Sequence, residues 1–215
     1  MRRSQTGFTL IELLIVISII GVLAAVLLPR VFGASVRANI AADALQLRAQ
    51  FGLLTEYEGK LKHYPMVGGS QFVLASWAIV DHTPENFDRY FIPGRRDNDP
   101  NYQALRTQVE QKTDPWPDLK QVLSTDTHYA GRALKHLQTA KSGEDQALMA
   151  DDNETVWSHP DGTVNLLLYG GAVREYSYLK LGELGLVSGT FDKNAAPFEM
   201  AGPNALIEEC RKLDL

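Results

Sequence analysis

The stretch FTLIELLIVISIIGVLAAVLL, residues 8–28, decides the fold of this chain of 215 residues. Glu12 is the one charged residue in the stretch. As a helix it would be roughly 30 Å long, which matches the hydrocarbon core of a bilayer. It lacks the polar face of a soluble surface helix, and it is longer than the apolar region of a cleavable secretory signal. The stretch therefore predicts a retained membrane-spanning helix.

The charged residues beside this helix predict its orientation. Arg2 and Arg3 precede it, whereas Arg30 alone follows it closely. Positively charged flanks stay preferentially on the cytoplasmic side of a membrane. We therefore expect the N-terminus in the cytoplasm and the larger C-terminal part outside it.

Glu12 needs a partner or a route to water if it lies in a membrane helix. An acid in the hydrocarbon costs about 2.5–3.5 kcal/mol on insertion scales. One interpretation is a tolerated acid near the helix start that reaches the membrane surface. The other is an acid that pairs with a second chain. A helix beginning at Phe8 would have a free amine four residues before Glu12, and that amine would neutralise Glu12 of a neighbouring subunit.

The sequence Gly7-Phe8-Thr9-Leu10-Ile11-Glu12 resembles the processing site of type IV prepilins and type II secretion pseudopilins. The resemblance implies that Met1–Gly7 is a leader, which a prepilin peptidase removes by cutting between Gly7 and Phe8. It implies N-methylation of Phe8, and it gives Glu12 the role of the acid that directs assembly. Pro29 matches a helix-breaking proline of the same family, which predicts a kink there.

The helical pattern continues beyond the membrane segment, over residues 29–59. We expect this part to be an amphipathic continuation of the helix that packs on a globular head formed by residues 60–215. The pattern places Asp43 and Gln50 off the apolar stripe. The stripe itself recurs in steps of three and four residues: Val36, Ile40, Ala44, Leu47, Phe51 and Leu54.

The head is predicted to contain short helices and a small antiparallel sheet. Asp99-Pro100 is typical of a helix start, and residues 129–141 suit another helix. Residues 163–178 predict a hairpin that turns at Gly170-Gly171 and packs toward Phe51 and Leu54, and residues 146–150 suit a third strand. The fold class is α+β, with the long N-terminal helix packed on the sheet.

A second resemblance concerns the C-terminal part of the head. His159-Pro160-Asp161-Gly162 and the strand that follows are similar to a segment of many pseudopilin-like proteins. In those proteins an Asp-Gly turn follows the histidine after nine intervening residues. This chain has Tyr169-Gly170 instead, so the glycine is kept and the acid is lost. The resemblance favours a pseudopilin over a major pilus subunit.

One group of side chains suits a metal ion. Asp151, Asp152 and Asn153 offer oxygen ligands of the kind that calcium prefers, although such clusters also form solvated turns without metal. The five histidines show no zinc-binding spacing, and neither a nucleophile elbow nor a phosphate loop occurs. We therefore expect no catalytic residues, no cofactor apart from calcium, and no enzymatic activity.

Composition narrows the classes of partner. The net charge of −5 argues against a nucleic-acid surface, and the single cysteine, Cys210, excludes an intrachain disulfide. A membrane-tethered enzyme or binding protein would give no reason for Gly7, Phe8 and Glu12. We therefore expect a filament subunit in the inner (cytoplasmic) membrane with a periplasmic head, a pseudopilin of a type II secretion-like system or alternatively a type IV pilin. Its expected partners are other pilin-like subunits, the prepilin peptidase, an inner-membrane assembly platform and membrane lipid.

Overall fold

A computed structural model of the chain describes residues 9–133, 146–151, 157–195, 197, 205 and 207–214. It confirms the α+β class, because a long N-terminal helix is combined with an antiparallel sheet. Two compact units are present, one that reaches Ala38 and one that begins at Asn39. The predicted boundaries at residues 28 and 59 are not tested by this division, since both units contain part of the same helix.

Helix α1 spans Leu10–Leu61 and is the one described helix long and apolar enough to cross a membrane. It continues through Pro29, whose kink stays a prediction. The predicted end at Gly59 is two residues early. After the last turn, Lys62 takes a left-handed backbone conformation with a φ of 67°, and its N–H donates to the Glu58 carbonyl.

The part of α1 in the second unit has a buried face that includes two polar residues. Ile40, Leu47 and Leu54 are buried as predicted, but Asp43 and Gln50 are buried between them. The prediction that Asp43 and Gln50 lie off the packed face is therefore wrong. An apolar pattern does not predict these positions as buried, because each of the two side chains has polar partners inside the head. Gln50 Nε2, for example, donates to the Arg89 carbonyl over 2.8 Å.

Short helices follow α1 and enclose an aromatic cluster. They are α2 at Ser70–Leu74, which passes into a 3-10 helix at Ala75–Ile79, then α3 at Pro84–Phe87 and α4 at Pro100–Glu110. The predicted helix start at Asp99 is confirmed, because its side chain accepts the backbone N–H groups of Asn101 and Tyr102. The core under these helices contains the aromatic residues Phe72, Trp77, Phe87, Tyr90, Phe91, Tyr102 and Trp116.

The described sheet has five antiparallel strands in the order β4-β3-β2-β1-β5. The predicted hairpin and third strand are confirmed. Gly171 has a φ of 81°, and its turn packs so closely on the Phe51 ring that a Cβ there would lie 2.6 Å from a ring carbon. The strands are β1 at Tyr129–Arg132, β2 at Ala147–Asp151, β3 at Val164–Leu168, β4 at Val173–Tyr176 and β5 at Leu213–Asp214.

The prediction of a helix at residues 129–141 is wrong over Tyr129–Arg132, which form β1, and residues 134–141 lie outside the described part. Pairing with β2 in the register Tyr129↔Asp151 stabilises the extended form. The backbone at position 131 also packs so closely on Gly69 that only glycine fits, because a side chain there would collide with the Gly69 carbonyl. Local helical spacing cannot outweigh these long-range contacts.

Both faces of the central strands are buried. On one face, Leu167 and Met149 pack with Leu47 and Leu54 of α1. On the other, Val164, Leu166 and Leu168 pack against the C-terminal segment, where Cys210 is buried in a 3-10 helix at Glu208–Lys212. Helix α5, Tyr178–Glu183, adds Leu181 to this second layer. The two layers position polar residues of β2 and β3 against α1.

Candidate functional site

The first candidate site is the start of α1, where Glu12 has a partner in its own chain. Glu12 Oε2 accepts the Thr9 backbone N–H over 2.8 Å and the Thr9 hydroxyl over 2.7 Å. In return the Glu12 N–H donates to Thr9 Oγ1 over 3.3 Å. This reciprocal pattern is a capping box, with Thr9 as the N-cap and Glu12 as the third helical residue. The pattern T-x-x-E is typical of a capping box, but the cost of placing an acid in the hydrocarbon of a membrane does not by itself predict one.

The apolar segment of α1 in the first unit has no cover from the described parts of this chain. Large hydrophobic side chains from Leu10 to Phe32 are exposed by between 46% at Val16 and 86% at Leu10. The predicted cleavage site at Gly7 and Phe8 lies outside the described residues, so it stays a prediction.

The second candidate site is a buried group of polar side chains, which we call the Asp43 cluster. It consists of Asp43, Tyr129, Asp151, His159 and Asn165, each no more than 1% exposed. Asp43 comes from the buried face of α1, Tyr129 begins β1, and Asp151 ends β2 directly opposite it. The cluster thus lies where α1 crosses the strand ends.

A tight turn and a strand bring the remaining two residues to the cluster. In the His159-Pro160-Asp161-Gly162 turn, the Gly162 N–H donates to the His159 carbonyl over 3.0 Å, and Gly162 has a φ of 74°. Asn165 then lies on the α1 side of β3. This turn is part of the segment that resembles pseudopilin-like proteins, and it places His159 beside two buried acids, Asp43 and Asp151.

Hydrogen bonds join α1 to the sheet through Asp43. Tyr129 Oη donates to Asp43 Oδ1 over 2.6 Å, and Asn165 Nδ2 donates to Asp43 Oδ2 over 2.7 Å. Asp151 Oδ2 accepts the Asn165 backbone N–H over 2.8 Å. His159 Nε2 lies 3.4 Å from one oxygen of each carboxylate.

The ionisation of the cluster is shifted strongly by burial and mutual charge. Burial and then the charge of Asp43 raise the pKa of Asp151 to about 8. Burial alone would lower the pKa of His159, but hydrogen bonds and charges from Asp151 and Asp43 raise it to about 10. Burial opposes ionisation of Asp43 too, but its bonds to His159, Asp151 and Tyr129 lower its pKa. These shifts favour the charged forms of Asp43 and His159 and the neutral form of Asp151.

The Asp43 cluster can hold a proton or a small cation, but it is closed to a larger substrate because its residues are fully buried. Ligand atoms of Asp43, Asp151 and His159 all lie within 4.8 Å of one another. Asp151 therefore faces inward, while Asp152 and Asn153 lie outside the described residues. The predicted calcium site at Asp151, Asp152 and Asn153 stays a prediction.

Sequence reasoning missed Asp43 and His159 as members of one site. The available signal was spacing, since Asp43 falls three residues after Ile40 and four before Leu47 on the buried face. A buried acid in such a place requires a partner. The sequence does not say which of five histidines provides it, because His159 is 116 residues away.

Comparisons with known proteins find one family motif and several similar proteins. The family model described as "Prokaryotic N-terminal methylation motif" matches residues 2–28. The chain is 47% identical over 79 residues to a fimbrial protein of Neisseria meningitidis, an alignment that covers 37% of this chain and 46% of that protein. It is 65% identical over 37 residues to the type IV wide pilus major component PilA4 of Thermus thermophilus, which covers 17% of this chain and 28% of the relative.

A secretion protein is also similar to this chain. The type II secretion system core protein G of Pseudomonas aeruginosa is 30% identical over 88 residues, which covers 41% of this chain and 62% of that protein. The chain thus matches less than two thirds of the length of each of these relatives. No solved structure matches it. Over residues 2–28 the chain therefore carries the N-terminal methylation motif of prepilins, and its relatives are type IV pilins and a type II secretion pseudopilin.

Proposed function

We propose that this chain is a structural filament subunit, a pseudopilin of a type II secretion-like system. A prepilin peptidase removes Met1–Gly7 and N-methylates Phe8, and the mature chains then assemble through their N-terminal helices. The observation that carries this proposal is the uncovered apolar surface of α1, most of which lies within the N-terminal methylation motif at residues 2–28.

The uncovered surface requires a non-aqueous environment. Burying one large aliphatic side chain is worth about 1.5–3 kcal/mol, and α1 exposes many of them between Leu10 and Phe32. A bilayer covers them before assembly, and the same segments of neighbouring subunits cover them in a filament. The subunit is expected to wait in the inner membrane with its head in the periplasm, where an assembly platform engages it.

Glu12 supports assembly in this proposal rather than catalysis. In the isolated chain its carboxylate is held by Thr9, at the first turn of the helix. Removal of the leader creates a positively charged amine on Phe8, beside that turn. An amine from one subunit and the carboxylate of another then neutralise each other, which sets the register between them.

A surface fibre of the type IV pilus class is the second candidate, and specific observations favour each. The identities to fimbrial and wide-pilus proteins are the higher ones, at 47% and 65%. The alignment to the secretion protein extends over the most residues, 88. The buried thiol of Cys210 also fits the first candidate, because many type IV pilins close a C-terminal loop with a disulfide.

A strain that lacks this chain separates the two candidates. Loss of proteins from the culture medium with unchanged surface fibres supports the pseudopilin, and loss of the fibres with an unchanged set of secreted proteins supports the pilin. Complementation with the wild-type chain is the control. A processed chain that never enters sheared filaments, even when overproduced, would contradict both.

A further inference from the structure

The Asp43 cluster lies outside the apolar segment on which the proposed filament function rests. We propose that Asp43, Asp151 and His159 are the ligands of one buried divalent transition-metal ion, with zinc as the test case, and that this ion holds α1 against the sheet. The three residues come from α1, from β2 and from the turn before β3, so a single ion would join three elements.

The distances inside the cluster suit a shared cation. His159 Nε2 lies 3.4 Å from Asp43 Oδ2 and 3.4 Å from Asp151 Oδ2. Direct bonds between an imidazolium and a carboxylate are usually about 2.7–2.9 Å long. With metal–ligand distances of about 2.1 Å, however, the edge of a coordination tetrahedron is about 3.4 Å. The two distances from His159 therefore match the edge of such a tetrahedron, and the ligand atoms of all three residues lie within 4.8 Å of one another.

Unpartnered polar atoms are a second, independent observation. Asp151 Oδ1 and Asn165 Oδ1 have no hydrogen-bond partner among the described residues, although both side chains are completely buried. A buried polar atom without a partner destabilises the folded state unless another group or an ion compensates it. Asn165 Nδ2 donates to Asp43 Oδ2 over 2.7 Å and to the Ile40 carbonyl over 3.3 Å, so this amide orients the Asp43 carboxylate from outside the ligand set.

Charge and outer contacts agree with the same assignment. A divalent ion would displace the protons that Asp151 and His159 hold in the empty cluster, and its charge would then balance the two ionised carboxylates. The non-coordinating oxygen of Asp43 accepts from Tyr129 Oη over 2.6 Å. Metal-binding carboxylates are commonly oriented by such outer hydrogen bonds.

The donor set favours a transition metal over calcium. Calcium takes six to eight oxygen ligands, whereas this cluster offers an imidazole nitrogen and few oxygens. The proposed site therefore differs from the calcium site predicted from the sequence at Asp151, Asp152 and Asn153, with which it shares only Asp151.

The test uses the full chain in detergent micelles, purified without chelators. Metal content is measured by mass spectrometry, and we expect about one zinc ion per chain, lost after treatment with EDTA. Adding Zn²⁺ back to the stripped wild-type protein should raise its thermal midpoint, because the ion binds the folded state only. This comparison needs no variant, so it holds even where a substitution prevents folding.

A cobalt spectrum identifies the ligands. Co²⁺ added to the stripped wild-type chain should give visible absorption bands that His159→Gln and Asp151→Asn abolish. His128→Asn is the matched control, since His128 is an equally buried histidine beside one acid, Asp99, and should leave the bands intact. The proposal is overturned if the wild type shows neither zinc nor a thermal shift, if only Ca²⁺ stabilises it, or if His159→Gln keeps the bands.

Discussion

Tyr129 donates a hydrogen bond of 2.6 Å from its hydroxyl to the carboxylate of Asp43, which joins the first strand of the sheet to α1 across 86 residues of sequence. Both side chains are buried. The hydroxyl also accepts from Gln46 Nε2 over 3.2 Å. This bond therefore links the part of α1 that lies in the second unit, residues 39–61, to the sheet.

Replacing Tyr129 by phenylalanine should lower the free energy of unfolding by about 1.5–3 kcal/mol. The ring still fits, but a charged acceptor loses its donor in a buried place. Urea unfolding of the full chain in micelles, followed by tryptophan fluorescence, measures the change. Tyr102→Phe is the control, because the Tyr102 hydroxyl also donates to a carboxylate, that of Asp88. Arg106 donates to the same carboxylate, so loss of the Tyr102 hydroxyl should lower the free energy of unfolding by less. Equal effects of the two substitutions would contradict the special role of the buried bond.

Gly131→Ala should destabilise the head by several kcal/mol. A Cβ at this position would collide with the carbonyl oxygen of Gly69, a backbone atom that cannot rotate away. Gly52→Ala in α1 is the matched control, because nothing lies within 4 Å of the added methyl group. There alanine should be neutral or should stabilise the helix by about 0.5–1 kcal/mol. Thermal unfolding of both variants checks the pair.

His128 should make the head less stable as the pH falls. Its Nδ1 accepts the Ile92 N–H over 3.1 Å, so the ring is neutral and its other nitrogen faces Asp99. Burial, helped by the charges of Arg95 and Arg96, lowers the pKa of His128, while Asp99 opposes the change. A histidine whose pKa is lower in the folded chain than in the unfolded chain binds a proton more readily in the unfolded chain. Stability should therefore decline as the pH drops below about 6.5.

The variant His128→Asn isolates this contribution. Asparagine offers an acceptor in place of Nδ1 and does not titrate. We expect the variant to be less stable than the wild type at pH 7. Its free energy of unfolding should decline less steeply toward pH 5, and the two slopes should differ by up to about 1.4 kcal/mol per pH unit, the value for one proton. Urea midpoints across this pH range give the slope. Parallel curves for the wild type and the variant would show that His128 does not take up the proton.

The sequence predicts the parts of the fold that local patterns control. The apolar run, the Asp99 helix start and the Gly170-Gly171 hairpin each depend on neighbouring residues, and all three are found in the structure. The strand at Tyr129 could not be predicted in the same way, because it depends on pairing with Asp151.

The same contrast explains the candidate sites. The prepilin motif is contiguous, so a single sequence reveals it. Asp43 and His159 are 116 residues apart, and only the fold brings them together. A polar residue beside an apolar stripe is ordinarily assigned to the exposed face, so the pattern places Asp43 on the wrong side of α1.

Processing should shorten the chain from 215 to 208 residues and leave Phe8 as a methylated N-terminus. Loss of Arg2 and Arg3 changes the formal net charge from −5 to −7. Mass spectrometry of the chain from native membranes measures the new terminus. Substitution of Gly7 by a bulky residue should leave the full-length precursor in the membrane. A mature terminus at Met1, or after Ala25, would exclude the prepilin interpretation.

Glu12→Val tests whether the acid serves assembly. The variant should insert into the membrane at least as well as the wild type, because an acid that opposes insertion is gone. It should also be cut after Gly7, since the peptidase recognises the leader and the glycine. We expect a loss of the chain from sheared filaments, and shorter or fewer filaments when it is mixed with the wild type.

Thr9→Val is the variant that separates assembly from local capping. It removes the hydroxyl that donates to Glu12 over 2.7 Å, but it keeps the carboxylate and the Thr9 backbone donor position. If Glu12 only caps α1, the two variants should be similarly impaired, because each breaks the same capping box. If Glu12 pairs with the Phe8 amine of a neighbour, Thr9→Val should assemble nearly normally while Glu12→Val should not. The ratio of filament to membrane protein, measured for both variants after equal cleavage is verified, decides between these roles. Normal assembly of Glu12→Val would remove the main physical support for pairing between subunits.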